Sequence, residues 1–566
     1  MQKSFGNVPF SIQERTMNRN RTARQHSFAI IPNSAKPRSK FLMRQTRKQG
    51  FNASELIPIY CEEVLPGDVW QHTESIMARL ATPIAPLVDD LDLETWYFYS
   101  PNRILWPEWE DFITGTDTEL VVPKVTPIIQ GSNWRVEAGG ALDHFGLLPQ
   151  VYDANVFHVN AFPIFGMFTI WNEWFRDQNL QEPWVWSDSW TTGTSAGFTQ
   201  DSVVWAQQCL RVNKRHDMFT SSLPFAQKGD AVSISLGTSA PVTITGDGSP
   251  PDFTDGVNPT TYNLEMRDAA NNVTTWTAVP GLNAPAEWGN PHLTGTANLA
   301  TATAVTINAL RLAAITQQLL ELDARGGSRY VENLLAHWDV RASNRSLQRP
   351  EYLGGSKTRI AVNPIAQTAA YDAEPGPAVS NLGNLGAEMH VSSHNRTFTY
   401  AAEEHGYILG FAAVRATPTY QQGTRRHWTR TDRLDFWDPV FEGLGEQAVN
   451  TTEIFQPTDG VPSNLTWGYQ ERAAEYRFTP NEITGPLRST SSTPMDWWHL
   501  SEEFGTEPAL NEDFITDKTQ EVLSRCLAVD VATSDQWACQ IIMDVLHEAK
   551  VARLMPAYSV PGIRYF

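Results

Sequence analysis

Residues 56–102 constrain the fold of this chain more than any other part, because their side chains alternate with a period of two. In the last third of the stretch, one face carries Leu91, Leu93, Thr95, Tyr97 and Tyr99, and the other carries Asp92, Glu94, Trp96 and Phe98. This period is typical of a β-strand whose two faces meet different surroundings. We therefore expect a strand here and a β-sandwich around it.

Turn signals and prolines divide the same stretch into short extended pieces. The apolar run Leu56–Leu65 ends at the turn signal Pro66-Gly67-Asp68, and extended character resumes at Trp70–Leu80. Six prolines lie from Pro58 to Pro107, and proline interrupts helices because it lacks an amide donor and clashes with the preceding turn. The pattern predicts a hairpin-like or sheet-switching arrangement rather than long helices.

Three other segments carry helix signals. Thr306 or Asn308 can cap a helix over residues 307–324, which ends at Gly326-Gly327, and a second helix is predicted over Ser328–Trp338. Within Phe162–Gln181, aromatic side chains occur at helical spacing, namely Phe168, Trp171, Trp174 and Phe175. This aromatic stripe predicts a short amphipathic helix that contacts the core or another subunit, with a sugar-binding platform as the alternative.

Further strands are predicted in the middle and at the end of the chain. Val232–Leu236 alternates, and Phe398–Val414 has strand character in two pieces around Glu404-His405-Gly406. Between them, Leu347–Gly355 is predicted to break regular structure. Near the C-terminus we predict a strand within Trp537–Leu554, with a helix as the competing interpretation for Asp544–Arg553.

The charge of the chain is divided unequally between its first fifty residues and the rest. The net charge is −20, yet residues 1–50 contain eleven Lys and Arg and a single acid, Glu14. With few apolar side chains to bury, this segment is predicted to be an extended or disordered arm. Positive charge suits phosphate groups, and the candidates for facing nucleic acid are Arg15, Arg19, Arg21, Arg24, Lys36, Arg38, Lys40, Arg44, Arg47 and Lys48. The alternatives are a solvated tail or a contact with an acidic protein neighbour.

A second basic segment, residues 424–430, combines positive charge with an aromatic side chain. Arg425, Arg426, His427 and Arg430 surround Trp428, a combination that can face phosphates or stack on a base. An ion-pair network between subunits explains the same composition equally well, so both interpretations stand at this point.

The composition changes between Thr238 and Ala304, where Thr, Ala, Gly, Asn and Pro dominate. Short extended pieces, among them Pro241–Thr245 and Val273–Val279, are separated by turn residues. This pattern predicts an exposed, β-rich insertion, and insertions of this kind often carry recognition.

Motifs for catalysis, metal binding and membrane insertion are missing from the sequence. It contains no run of eighteen apolar residues, no secretory leader, no G-x-S-x-G elbow, no Walker loop and no H-E-x-x-H. His390 and His394 lack a helical context, and Asp89, Asp90 and Asp92 are read as a solvated turn, with structural calcium as an unsupported alternative. We expect no enzyme activity and no cofactor. The widely spaced Cys61, Cys209, Cys526 and Cys539 are predicted to be buried free thiols.

Many motifs occur along the chain in one order, and together they carry a resemblance to a known family. They are Ile57-Pro58-Ile59, Glu63–Asp68, Ala78–Ile84, Ile170–Asn179, Lys214–Asp217 with Phe219–Ser221, Asp323–Gly327, Leu347–Gly355, Glu404–Tyr407, Tyr420–Gly423, Gly445–Val449, Gly468–Arg472, and Met555-Pro556 with Pro561-Gly562. In these motifs the chain resembles the major capsid proteins of the Microviridae, especially the gokushovirus branch. The resemblance is interrupted at Thr238–Ala304, His394–Phe398 and Ser489–Ser492.

The resemblance implies a mainly β fold, an eight-stranded antiparallel jelly-roll β-sandwich with long inserted loops and a few short helices. It implies a structural bacteriophage protein, sixty copies of which form a T=1 icosahedral shell around circular single-stranded DNA in a virion assembled in the host cytoplasm. The implied partners are other copies, the DNA, a small basic internal protein, and a host surface receptor. Thr238–Ala304 stands where the family has an insertion that forms protrusions at the threefold axes.

On this basis the chain divides into a basic arm (1–50), the first part of the jelly roll (51–237), a surface insertion (238–304), and a last part (305–566). The last part holds a helical excursion, inserted loops and the remaining strands. The strand after Leu56 is expected to pair with the C-terminal strand within Trp537–Leu554. The rival interpretation, suggested by twenty tryptophans, is a soluble carbohydrate-active or lectin-like β-sandwich protein.

Overall fold

A computed structural model describes most of the chain and supplies the positions discussed below. The described residues are 38–114, 128–129, 134–152, 159–184, 208–230, 232, 242–246, 252–255, 261–263, 286–288, 293–297, 307–368, 383–457, 465–529, 531 and 538–558. Within them, antiparallel strands dominate and helices are few.

The strands are numbered in chain order. They are β1 (Ser39–Phe51), β2 (Glu55–Val64), β3 (Val69–Leu80), β4 (Leu91–Pro101), β5 (Ile128–Ile129), β6 (Trp134–Arg135), β7 (Val151–Tyr152), β8 (Val159–Asn160), β9 (Leu210–Arg211), β10 (Val242–Gly246), β11 (Asp252–Asp255), β12 (Thr261–Asn263), β13 (Ala286–Trp288), β14 (Leu293–Ala297), β15 (Glu351–Arg359), β16 (Ala361–Ala366), β17 (Leu385–Ala401), β18 (Gly406–Ala416), β19 (Glu446–Asn450), β20 (Thr466–Glu471) and β21 (Ile541–Arg553).

The helices are short except for one. They are α1 (Asn102–Leu105), α2 (Trp109–Thr114), α3 (Ala141–Phe145), α4 (Phe162–Ile170), α5 (Ile307–Arg325), α6 (Tyr330–Trp338), α7 (Glu512–Ile515) and α8 (Thr519–Cys526). A π-helical turn, Trp171–Phe175, continues α4, and single 3-10 turns lie at Arg426–Trp428, Arg433–Asp435, Pro439–Gly443, Thr451–Glu453, Ala474–Tyr476, Gly485–Leu487 and Asp496–Trp498.

Two five-stranded antiparallel sheets form the body of the molecule. The first has the strand order β1-β21-β3-β17-β16, and the second has the order β15-β4-β18-β2-β9. The main hydrophobic core draws buried side chains from both sheets, including Trp70, Tyr97, Ile408 and Val545. The predicted β-sandwich opening is therefore confirmed, because residues from the two sheets share one buried core.

The strand predicted from the period-two pattern is β4, and its two faces do meet different surroundings. Tyr97 and Tyr99 lie in the core shared by both sheets. Phe98 lies in a second cluster, where α4 and its neighbours cover the outer face of the second sheet. Asp92 and Glu94 are also buried on that outer face, which is possible because Arg215 pairs with both, its Nη1 lying 2.8 Å from Asp92 Oδ2 and its Nη2 3.1 Å from Glu94 Oε1.

The segment predicted as an extended or disordered arm contains the first strand of the sandwich, so the boundary at residue 50 is wrong. Ser39–Phe51 pairs with β21 along its whole length, from Ser39↔Arg553 to Phe51↔Ile541. The exposed and half-buried residues alternate along β1 until Phe51, which is buried. Pairing satisfies the backbone amides that an isolated arm would leave to water.

The C-terminal strand is confirmed as β21, and the competing helix is wrong. Its predicted partner is wrong as well, because β2 lies in the second sheet beside β18, whereas β21 pairs with β1 and β3. The chain switches sheets between β2 and β3 at the predicted turn, where Gly67 has a positive φ of 86°. Buried Asp68 accepts a hydrogen bond from Arg553 Nε at 2.9 Å, so this turn is tied to the end of β21.

A helix is present where the aromatic spacing predicts one, but it is not amphipathic, because seven of the nine residues of α4 are buried. Of the aromatic stripe, Phe168 lies in α4, and Trp171, Trp174 and Phe175 lie in the π-helical turn that continues it. Phe168 and Trp171 are buried in the cluster beneath the second sheet. The helices predicted after residue 306 are α5 and α6, and the two strands predicted around residues 404–406 are β17 and β18. The predicted break at Leu347–Gly355 holds only up to Pro350, because β15 begins at Glu351. Val232 is not in a strand, and residues 233–236 lie outside the described part.

The four cysteines are free thiols, as predicted. Cys526 is buried and the other three are partly buried. Burial raises the pKa of Cys61 to about 12 and that of Cys526 to about 11. Neutral, enclosed thiols of this kind react slowly.

Candidate nucleic-acid interface

The basic residues of β1 divide between the two faces of the first sheet. Lys40, Arg44 and Lys48 lie at alternate, exposed positions on the outer face. Two of them are ion-paired with β21, Arg44 Nε with Glu548 Oε1 and Lys48 Nζ with Asp544 Oδ2, both at 2.7 Å. These cation side chains remain 63% and 73% exposed. Pairs this exposed are weak, so the cations stay available to a phosphate.

Arg47 lies on the opposite face, where it is partly buried. Its Nη1 donates a hydrogen bond to the carbonyl oxygen of His144 at 2.8 Å. Burial lowers the pKa of its guanidinium, and the neighbouring Cys61 and Glu62 oppose that effect. Sequence composition could not distinguish Arg47 from Arg44 and Lys48, because the face on which a side chain lies depends on its position in the alternation along the strand.

The outer face of the first sheet extends the positive surface of β1 across three further strands. The registers of β1, β21, β3 and β17 place their outward residues side by side. Six cations lie on this face, namely Lys40, Arg44, Lys48, Arg79, Arg396 and Lys550, against three acids, Glu388, Asp544 and Glu548. This excess contrasts with the net charge of −20 for the chain. We call this surface the basic sheet face.

The second basic segment forms ion pairs within its own chain. Arg430 Nη2 lies 2.8 Å from Glu475 Oε1, Arg426 Nε lies 3.7 Å from Glu453 Oε1, and Arg425 pairs with Glu482. His427 packs beside Trp428, with ring centroids 5.0 Å apart. These residues line a cavity of about 430 Å³. Because each of the three arginines has a carboxylate partner, the cavity holds far less free positive charge than the sequence suggests.

The aspartates and histidines considered as metal ligands have other partners. Asp89 accepts a hydrogen bond from the Leu500 amide, Asp90 pairs with Arg359, and Asp92 lies 2.8 Å from Arg215 Nη1. His390 and His394 lie on β17, where positions four residues apart are separated by roughly 13 Å. No cluster of three or more metal-ligating side chains occurs among the described residues.

Comparison with known proteins identifies the family. A family model described as "Capsid protein (F protein)" matches residues 29–563. The chain belongs to this capsid protein family. The resemblance to Microviridae capsid proteins is thereby confirmed, and a capsid protein is a component of the virion.

Three relatives match this capsid protein over nearly its whole length. The capsid protein VP1 of Bdellovibrio phage phiMH2K is 37% identical over 554 residues, which cover 95% of this chain and 98% of the relative. VP1 of Chlamydia phage 1 is 35% identical over 604 aligned residues, with 95% and 98% covered. VP1 of Spiroplasma virus 4 is 32% identical over 557 residues, with 96% and 98% covered. Membership favours a structural, non-enzymatic role and self-assembly into a shell.

Other candidate surfaces of this capsid protein are described only in part. Arg15, Arg19, Arg21, Arg24 and Lys36 lie outside the described residues, whereas Arg38 is exposed just before β1. In the insertion, β10 pairs with β14, and β11 pairs with β12 and β13. Val242 and Ile244 are exposed there, and Val273–Val279 lies outside the described part. No helix within the described ranges is long and apolar enough to cross a membrane.

Proposed function

We propose that sixty copies of this chain assemble into a T=1 icosahedral shell that encloses single-stranded DNA. The observation that carries the proposal is the match of one capsid family to residues 29–563, together with relatives that are covered over 98% of their own length. Assembly takes place in the cytoplasm of the host. The number of copies per shell and the single-stranded DNA genome are taken from the family resemblance set out above.

Eight of the strands form a jelly roll in this proposal. The order β1-β21-β3-β17 in one sheet and β15-β4-β18-β2 in the other supports it, because the chain changes sheet at each of the connections between these eight strands except the one from β4 to β15. This alternation is what two interlocked Greek keys produce. The short β9 and β16 then extend the edges of the two sheets.

The basic sheet face and residues 1–37 face the packaged DNA in this proposal. Residues 1–37 hold six Lys and Arg against one acid, and the basic sheet face adds six cations against three acids. Sequence-independent binding to single strands needs cations distributed along a surface, not a base-reading pocket. A small basic internal protein shares the neutralisation of the DNA phosphates.

Deletion of residues 1–37 should lower the DNA content of purified particles by about twofold or more, because phosphate neutralisation scales with the number of cations. The deletion ends before Ser39, so β1 stays complete. Nuclease-protected single-stranded DNA per particle is the measurement, with particle integrity checked by electron microscopy.

A full-length variant in which the six Lys and Arg residues of residues 1–37 are changed to Gln is the matched control for chain length. It should lose as much DNA as the deletion does. Unchanged DNA content in both variants would contradict the DNA-facing assignment. Monomers that turn over or bind glycans, in place of closed particles, would favour the lectin-like rival.

The insertion, residues 238–304, contributes to host attachment in this proposal. Its described strands pair with one another and with no strand of the two main sheets among the described residues, so it is an addition to the sandwich. Deleting it should leave particles that adsorb to host cells at least about tenfold less. Adsorption counts on host cells, with the undeleted particle as reference, are the measurement. Normal adsorption together with unchanged surface protrusions would contradict the assignment.

A further inference from the structure

Helix α5 presents an apolar stripe to solvent. Leu312, Ile315, Leu319 and Leu322 lie along one side of it and are 68%, 63%, 49% and 39% exposed. A helix on a folded domain normally turns such a stripe towards the core. We call these four residues the α5 stripe.

The side of α5 that faces its own chain is mostly polar or small. Gln317 donates hydrogen bonds to Gln227 and Glu321, and the carbonyl oxygen of Leu320 accepts one from the Lys228 amide at 3.3 Å. Ala324 is buried at 1% exposure, and Arg325 pairs with Glu446. The helix is therefore held by its polar side, and its orientation with the stripe outward is fixed by specific contacts.

The spacing of the stripe is that of a helix-packing seam. Its members are separated by three, four and three residues, as in the a and d positions of a heptad, which fit into the holes of a facing helix. Leu310 is exposed as well, but at about 100° per residue it lies on the opposite side of the helix and is not part of the stripe.

We propose that the α5 stripe is an interface with a second copy of this chain in the assembled shell. The inference rests on the proposed shell assembly. An element that lies beside a rotation axis of a symmetric shell meets the same element of a neighbouring copy, and in this proposal α5 lies beside such an axis, so a second α5 supplies the matching seam. An exposed seam that needs only another copy to be covered explains why the stripe is retained on a subunit that works in an assembly.

Maleimide labelling of single introduced cysteines tests directly whether a second copy covers the α5 stripe in the particle. Ile315→Cys and Leu319→Cys place an exposed thiol in the stripe of the full chain, whose native thiols are buried or partly buried. Labelling of these positions should be rapid in unassembled protein and at least about tenfold slower in particles, since thiol reaction requires access. Parent protein, measured in both states, gives the background.

Two results of this labelling would overturn the proposal. Equal labelling rates in particles and unassembled protein would show that the stripe stays exposed. Slow labelling already in the unassembled chain would show that a segment of the same chain covers it. Failure of the parent to form any particle would instead contradict the proposed shell and is distinguishable from both results.

A substitution pair gives a second, independent readout. The double variant Ile315→Gln with Leu319→Gln keeps helix-forming residues and should reduce particle yield at least about tenfold while leaving circular dichroism unchanged. The matched control, Leu310→Gln with Ala314→Gln, changes two exposed positions on the opposite side of the same helix and should assemble like the parent. Normal assembly of the stripe variant would overturn the proposal.

Discussion

Removing residues 1–51 should leave no assembled particles, whereas removing residues 1–37 should leave the sandwich and its assembly intact. The longer deletion takes away β1, which pairs with β21 at thirteen positions from Ser39↔Arg553 to Phe51↔Ile541. It also removes Phe51, which is 2% exposed in the core. Truncating a single buried Phe costs about 3–5 kcal/mol, a large part of the stability of an ordinary domain.

The longer deletion also turns β21 into an open edge. An unpaired edge of this length promotes pairing with other chains and aggregation, so we expect insoluble protein. Soluble yield, size-exclusion chromatography and electron microscopy are the measurements. The triple variant Lys40→Gln, Arg44→Gln and Lys48→Gln keeps β1 but removes its outward charge, and it should still fold and assemble. Normal particles from the longer deletion would show that β1 is dispensable.

The sequence hid β1 because its charges dominate the composition of the first fifty residues. In β1, Lys40, Arg44 and Lys48 lie at outward positions and Phe41 and Met43 at inward ones, which fits a strand period. Composition averaged over the whole arm obscured that period. The carboxylates that pair with the cations, Asp544 and Glu548, lie about five hundred residues further along the chain, beyond any local signal.

Elements with a strong local period were predicted well. The strand β4, the strand β21 and the helix α5 are all where the spacing of apolar residues places them. The partner of β21 was not predictable in the same way. Both β2 and β3 are apolar strands of similar length, and a period of two does not reveal to which sheet a strand belongs. The chain crosses to the first sheet at the turn that contains Asp68, which accepts a hydrogen bond from Arg553, and this crossing places β3 rather than β2 beside β21.

The candidate interface was predictable only in part for the same reason. Sequence alone identified Arg44 and Lys48 but grouped them with Arg47, which lies on the opposite face of the strand. It also missed Arg79, Arg396 and Lys550, because they are isolated cations in their own segments. Only the pairing of four strands gathers these residues onto one face. A scan for cations at outward positions of predicted strands would have found them.

Mild acidification should lower the free energy of unfolding of this chain, and two buried histidines should cause this loss. His72 and His547 are at most 1% exposed, and His72 Nε2 lies 3.2 Å from His547 Nδ1. His547 Nε2 lies 3.0 Å from the Ile59 carbonyl oxygen, which can only accept, so this nitrogen donates. His72 then donates to His547 and accepts from the Thr397 hydroxyl at 2.5 Å. This arrangement is complete with both rings neutral, and it excludes a proton on each ring at once, because two N–H groups would then face each other across the 3.2 Å contact.

Burial lowers the pKa of both histidines to about 3, and the charges of His72 and Arg47 add to the effect at His547. The unfolded chain, with a histidine pKa of about 6.5, binds protons that the folded chain excludes. Stability from the pair is thus complete above pH 6.5 and is lost as the pH falls towards 3. With roughly 1.4 kcal/mol per pH unit for each histidine, the loss at pH 4.5 is roughly 5 kcal/mol.

The double variant His72→Leu with His547→Leu should remove this component and unfold with a weaker dependence on pH between 6.5 and 4.5. Denaturant unfolding of unassembled protein, followed by tryptophan fluorescence, measures it. Burial raises the pKa of Asp517 and of Glu502, so these carboxyls act in the opposite direction, and comparison with the parent cancels them. His394→Leu, at an exposed position on β17, should keep the parental slope. If the double variant showed the same pH dependence of unfolding as the parent, the assignment to His72 and His547 would be refuted, because both titrating side chains would be gone from the folded core without effect.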